Sequence, residues 1–222
     1  AVKFQKRTVE VVYNQAELDK PRPVPAEVIS IAINRGALSE KSVSRLTSNI
    51  ENTTNGDLKY ALEFGVAEYT LIDKYCKDKE ILWFASPWDE ESVDFLEYFE
   101  PPCYKVASAS LTDRELLLYI ASKGRPMILG TGMSSWEQVA KAVTLLDDGK
   151  TDLIISHTVS TYPADRRDLN LAVIKRMKEN FNWPIGYSGH ERGTTMSVCA
   201  VALGANMVER HITLARDMWG SD

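Results

Sequence analysis

The sequence is poor in several things, and each shortage excludes a class of protein. Its three cysteines, Cys76, Cys103 and Cys199, are scattered and odd in number. None pairs with another as C-x-x-C, so neither a disulfide framework nor a cysteine-held zinc site is expected. A reducing, cytoplasmic setting fits. No apolar run approaches the roughly 18 residues of a membrane span. The opening AVKFQKR sets apolar residues ahead of charged ones, the reverse of a secretory leader. Basic residues are the minority, 26 against 31 acidic, for a net charge of -5. That argues against a nucleic-acid partner, although a few lysines inside a pocket can still hold a small anion. No G-x-G-x-x-G turn follows any apolar run, which counts against an open doubly wound sheet, the second fold considered.

What is present is a rhythm. Short apolar runs recur at 1–4, 81–86, 103–108, 126–131, 153–158, 184–189 and 206–213, and from the second onward their starts are 22, 23, 27, 31 and 22 residues apart. Amphipathic stretches such as LTDRELLLYIASKG and SSWEQVAKAVTLLDDG lie between them. Thr112 is the expected N-cap of the first of these, with Glu115 three residues later and Gly124 closing it; Ser134 or Ser135 caps the second. Short strand then helix, repeated, is the pattern of a parallel sheet. Seven strands predict an α/β fold, a TIM (β/α)8 barrel lacking its first strand–helix unit. Residues 1–222 are expected to form a single partial barrel domain. A helical insertion at about 26–50 follows the extended PRPVP, with Ser39 as a second N-cap, and NTTNGD at 52–57 is turn chemistry.

In such barrels the chemistry sits where strands end. The residues closing the runs are Lys3 and Gln5; Ser86 and Asp89; Lys105, Ser108 and Ser110; Thr131; His157, Ser160 and Tyr162; Tyr187, Ser188 and His190; Glu209 and His211. All three histidines of the chain are among them. A single strand-end histidine is more often a hydrogen-bonded packing residue than a ligand, and serines after strands usually cap helices. Lysines within apolar strands are harder to dismiss, because an unpaired buried ammonium is costly. Lys3 and Lys105 show no obvious acidic partner in sequence, and an anion between them would remove that cost. His190 and His211 close consecutive strands, an arrangement suited to a divalent metal acting as a Lewis acid on a carbonyl. Together these features point to carbon–carbon bond formation between a phosphorylated enol and an aldehyde.

KFQ at 3–5, NGDLKYALEFG, WFASPWD, YKVASASLTD, LGTGMSS, HTVSTYP, GYSGHERG and ERHITLARDMWGSD, in that order, resemble the sialic acid synthase family. The resemblance runs through almost the whole chain apart from 26–50. It implies a TIM barrel that condenses phosphoenolpyruvate with N-acetylmannosamine, or a related amino sugar, to a nonulosonic acid and phosphate. It implies a divalent metal, Mn2+ or alternatively Mg2+, held by His190 and His211. Substrate would be held by Lys3, Gln5, Ser86, Lys105, Ser108, Ser110, Thr131, Ser160, Tyr162 and Ser188, with Asp222 and Tyr162 as the catalytic residues. Three positions depart from the family pattern: Gly189 replaces an aspartate, Ser110 an acid facing the sugar, and Gly130 a phosphate-holding serine with Thr131 beside it. By the same resemblance the chain is truncated at both ends. The family's first strand is missing, as is its C-terminal antifreeze-like domain, which in full-length homodimers reaches the partner's site. The alternatives are another phosphoenolpyruvate-condensing aldolase, or a barrel fragment that binds ligand without turnover.

Overall fold

The computed structural model describes residues 1–34, 42, 44, 45, 52–147 and 149–213. The backbone divides into two compact units, one of residues 1–5 and 76–211, the other drawn chiefly from residues 6–75.

The first unit holds a seven-stranded sheet whose strands are neighbours in chain order: β1 (Val2–Lys6), β2 (Trp83–Pro87), β3 (Tyr104–Val106), β4 (Met127–Gly130), β5 (Leu153–Thr158), β6 (Ile185–Gly189) and β7 (Met207–Arg210). Each falls on one of the seven apolar runs. From β2 to β7 every neighbouring pair is parallel. All residues of β3, β4 and β6 are buried, as expected for parallel strands covered on both faces.

The sheet is strongly curled. Laid flat, its first and seventh strands would stand roughly 29 Å apart, six spacings of about 4.8 Å. Instead Lys3 Nζ of β1 lies 3.3 Å from Glu209 Oε1 of β7, and Lys105 Nζ of β3 lies 3.9 Å from Glu209 Oε2. Among the described residues β1 and β7 end the strand order without pairing to each other. The result is a half-barrel of seven parallel strands; a closed eight-stranded ring is not reached.

The connecting helices start on short polar side chains that satisfy their first free amides. Asp89 accepts from Ser92 N ahead of Glu90–Glu97, and Ser135 forms a capping box with Gln138 ahead of Trp136–Leu146. The cap ahead of Arg114–Ser122 is Asp113, accepting from Leu116 N. The expected Thr112 is therefore one residue too early: both residues are cap formers, and the carboxylate takes the position. Gly124, at φ +69°, follows that helix as expected.

In the second unit, Ala26–Asn34 is helical, which places a helix in the expected insertion; the proposed Ser39 cap lies outside the described residues. Val24, Ile29 and Ala61 form a small core with Val28 packed on it. The stretch NTTNGD does not make a free-standing turn. Thr54 and Asp57 close a capping box that launches Asn55–Leu62, since the residues that favour turns also favour caps. Glu63 is partly buried and pairs with Arg7, 2.6 Å from its Nε. Burial raises this carboxyl above its usual range, although Arg7 and Lys6 oppose the shift.

Candidate active site

Successive side chains of a strand point to opposite faces. On β7 this separates Glu209 from Arg210, and on β6 it puts Ser188 on the face opposite Tyr187. Ser188 and Glu209 are register partners, and the serine hydroxyl donates to Glu209 Oε1 at 3.2 Å. Glu209 receives Lys3 from one side and Lys105 from another. The expectation that the two lysines lack an acidic partner is thus corrected: Glu209, more than 100 residues from Lys105 in sequence, serves both. One carboxylate balances two ammonium groups, so this cluster keeps one positive charge in excess. Burial pushes the Lys105 ammonium down to about 8; Glu209 pulls the other way, and Lys3 adds to the lowering. Burial alone would raise the Glu209 carboxyl, but Lys105 and Lys3 outweigh it and hold it below the usual range.

Hydroxyls gather around this charge. Register places Ser86 one residue beyond Ala85↔Tyr104, beside Lys105. Its Oγ is buried and has no hydrogen-bond partner among the described residues. The backbone of the β4 loop comes unusually close. A Cβ added at Gly130 would sit 2.9 Å from both Lys105 Nζ and Ser108 Oγ, and one added at Gly132 would collide with Ser160 Oγ and lie 3.0 Å from Ser108 Oγ. Gly132 N already donates to Ser108 Oγ at 3.0 Å. Lys105, Ser108 and Ser160 therefore converge where only glycine leaves room. Gln5 is on the same face of β1 as Lys3, two residues on. The Thr131 hydroxyl is turned onto β5, donating to Ser156 O at 3.1 Å. Ser110 is buried in a single 3-10 turn, Ser108–Ser110.

Beyond Ser188 and Glu209, about 7 Å further toward the strand ends for two residues of rise, come His190 and His211. Their ring centroids are 5.2 Å apart. Tyr162 stacks on His190 at 4.1 Å and meets His211 edge-on at 5.5 Å. His190 Nδ1 lies 2.6 Å from Val159 O. A carbonyl only accepts, so Nδ1 carries the proton; in the neutral ring Nε2 then keeps its lone pair and accepts from the Tyr162 hydroxyl at 3.0 Å. That is the tautomer a metal-binding imidazole needs, fixed by the type of contact that usually fixes it. Among the described residues no group of three His, Cys, Asp or Glu side chains could hold an ion. Among the described residues His190 and His211 are the two imidazoles brought together at these strand ends. His157 is different: it is buried, its Nε2 donates to Leu169 O at 2.7 Å, and burial lowers its pKa. Asp222 lies outside the described residues.

A profile of the NeuB family matches residues 33–222. The chain belongs to the NeuB family. Relatives include the N-acetylneuraminate-9-phosphate synthase of Homo sapiens, 34% identical over 221 residues, 99% of this chain and 55% of that protein. The pseudaminic acid synthase of Campylobacter jejuni is 36% identical over 155 residues, 69% of this chain and 45% of that protein. Among solved structures, the N-acetylneuraminic acid synthetase of Leptospira borgpetersenii superposes with a TM-score of 0.77 at 29% identity, covering 97% of this chain and 63% of that one. The chain spans about half the length of the curated relatives it matches.

Two features escaped the sequence. Glu209 was visible as a strand-end residue but not as the shared counter-ion. The pairing of Glu191 with Arg210 was not foreseen, although both flank candidate metal histidines in the motifs GYSGHERG and ERHIT.

Proposed function

We propose that this chain carries the phosphoenolpyruvate-binding and histidine-bearing part of an enzyme that condenses phosphoenolpyruvate with N-acetylmannosamine or a related amino sugar, giving a nonulosonic acid and phosphate. The observation that carries this reading is the cluster of the buried Lys105 with the partly buried Lys3 and Glu209. It holds a surplus positive charge beside the Ser86 hydroxyl, which has no partner among the described residues, at a place where Gly130 and Gly132 leave space. A dianionic phosphate or a carboxylate suits such a cluster. The relatives' names support the product class, since they are synthases of sialic, pseudaminic and legionaminic acids.

In this reading Lys3 and Lys105 hold phosphoenolpyruvate, with Ser86, Ser108, Ser160 and Ser188 donating to its oxygens, and Glu209 keeps the two lysines from repelling one another. The bound enol is held with its methylene carbon toward the strand ends, where the sugar enters. That carbon adds to the aldehyde carbon of the open-chain sugar. Water then adds to the former enol carbon, the carbon–oxygen bond to phosphate breaks, and inorganic phosphate leaves. Tyr162 stacks on the His190 ring and its hydroxyl meets Nε2, so a ligand of that nitrogen would take the place of the hydroxyl. A divalent ion such as Mn2+ bound by His190 and His211 would supply Lewis-acid polarisation of that carbonyl.

The test is steady-state phosphate release from phosphoenolpyruvate with and without amino sugars, alongside calorimetric binding of phosphoenolpyruvate to the chain. Sugar-dependent release supports the synthase reading. Binding without any release would leave a ligand-holding fragment, and release driven by an aldose phosphate in place of the amino sugar would favour another aldolase of this type. Absence of phosphoenolpyruvate binding would overturn the proposal.

A further inference from the structure

Arg210 and Glu191 stand one residue from each candidate metal ligand, on the face of the sheet away from the anion cluster. Glu191 is buried, 3% exposed. Its carboxylate pairs with Arg210 Nη1 and accepts from the Tyr187 hydroxyl at 2.7 Å. The second guanidinium nitrogen of Arg210 donates to the backbone carbonyls of Glu191 and Gly193, the latter at 3.0 Å. One side chain on β7 therefore laces down the whole turn that carries His190, and it does so from the residue next to His211. The hydrogen bond of His190 Nδ1 to Val159 O can form only while that turn keeps its place.

Gly189 leaves the room that this pair occupies. A Cβ at 189 would collide with Arg210 Nη1 and sit 2.7 Å from Glu191 Oε2 and 2.8 Å from Tyr187 Cε1. A side chain at 189 would compete with Glu191 and Arg210 for the same space, and Gly189 keeps that space open. Gly189 does not adopt a positive φ, so only the neighbouring side chains, and not the backbone, bar a larger residue.

We propose that Glu191 and Arg210 are a positioning pair that sets the orientation and tautomer of His190 relative to His211. For the metal this rests on the function proposed above; for the imidazole it does not.

The experiment uses two variants, Glu191→Gln and Arg210→Lys. Two-bond proton–nitrogen spectra of the metal-free chain report the histidine tautomers, and three histidines are few enough to resolve. In the unsubstituted chain His190 should show the Nδ1-protonated form and His157 the Nε2-protonated form. Each single variant should move His190 toward an exchanging mixture while His157 stays unchanged. Manganese affinity, read from the electron paramagnetic resonance signal of free Mn2+, should weaken about tenfold in the single variants, the lower end for losing a partner behind a metal ligand. Unchanged His190 signals in both single variants would overturn the proposal. Equal movement of His157 would also overturn it, because the effect would then be general loosening. If the unsubstituted chain binds no Mn2+, the metal part of the proposed function fails and the ring spectra alone decide the positioning role.

Discussion

Lys105 is the residue on which charge and function meet most directly. Its ammonium has a pKa of about 8 in the folded chain, so near neutral pH it is charged but close to losing its proton. Only the charged form attracts phosphoenolpyruvate, and a bound anion would raise that pKa. By linkage, affinity should be level below about pH 8. It should fall above it, by up to about tenfold per pH unit while the free lysine is neutral and the bound one still charged. Calorimetry across pH 6.5–9.5, values chosen roughly to bracket that pKa, would read the break. Glu209 raises the Lys105 pKa, so Glu209→Gln should move the break to lower pH. Lys105→Met should abolish the break and weaken binding by about 1.5–3 kcal/mol, the range for a hydrogen bond to a charged group. It should not unfold the chain, because Glu209 keeps Lys3 at 3.3 Å. An unaltered pH profile in the methionine variant would remove Lys105 from the anion site. At the same scale, the contacts of the histidines separate their roles. His190→Ala or His211→Ala should weaken Mn2+ binding at least about tenfold, as for the loss of a ligand-supporting group. His157→Ala should leave it unchanged, since that ring is spent on Leu169 O. Equal effects from all three would sink the assignment.

At the scale of elements, the strands were readable and the helix starts only partly so. Parallel strands buried on both faces appear as unbroken apolar runs, and the runs around ILWFAS, PMILGT and PIGYSG needed no partner to be recognised. A cap is decided by a single hydrogen bond, and Thr112 and Asp113 compete for it on equal terms in sequence. The Glu209 counter-ion was harder still: an ion pair between strands 100 residues apart leaves no local pattern. Asp89 shows how a strand-end residue can be a helix cap. It looked like a site candidate, but its carboxylate accepts from Ser92 N at 2.7 Å and from Ser92 Oγ at 2.8 Å, which starts the helix Glu90–Glu97. Asp89→Ala should therefore cost about 1–2 kcal/mol of stability, the upper range for a lost cap, as read by urea unfolding. It should leave phosphoenolpyruvate affinity as it was, and a large loss of affinity would return Asp89 to the site.

At the scale of the whole sheet, curling has brought the side chains of β1 and β7 together without joining their backbones. A barrel closes when its first and last strands exchange hydrogen bonds. Here both end the strand order, and among the described residues each has a strand on one side only. An uncovered edge is a template for another chain, and natural edges are often blunted with lysine. β7 has no lysine, and its Val208 is 38% exposed. The chain should therefore associate reversibly, with a sedimentation coefficient that rises with concentration. Val208→Lys should shift it toward the monomer while far-ultraviolet circular dichroism stays the same. If Val208→Lys leaves the association unaltered, the contact between copies lies elsewhere, and the open edges of β1 and β7 are not what draws the chains together.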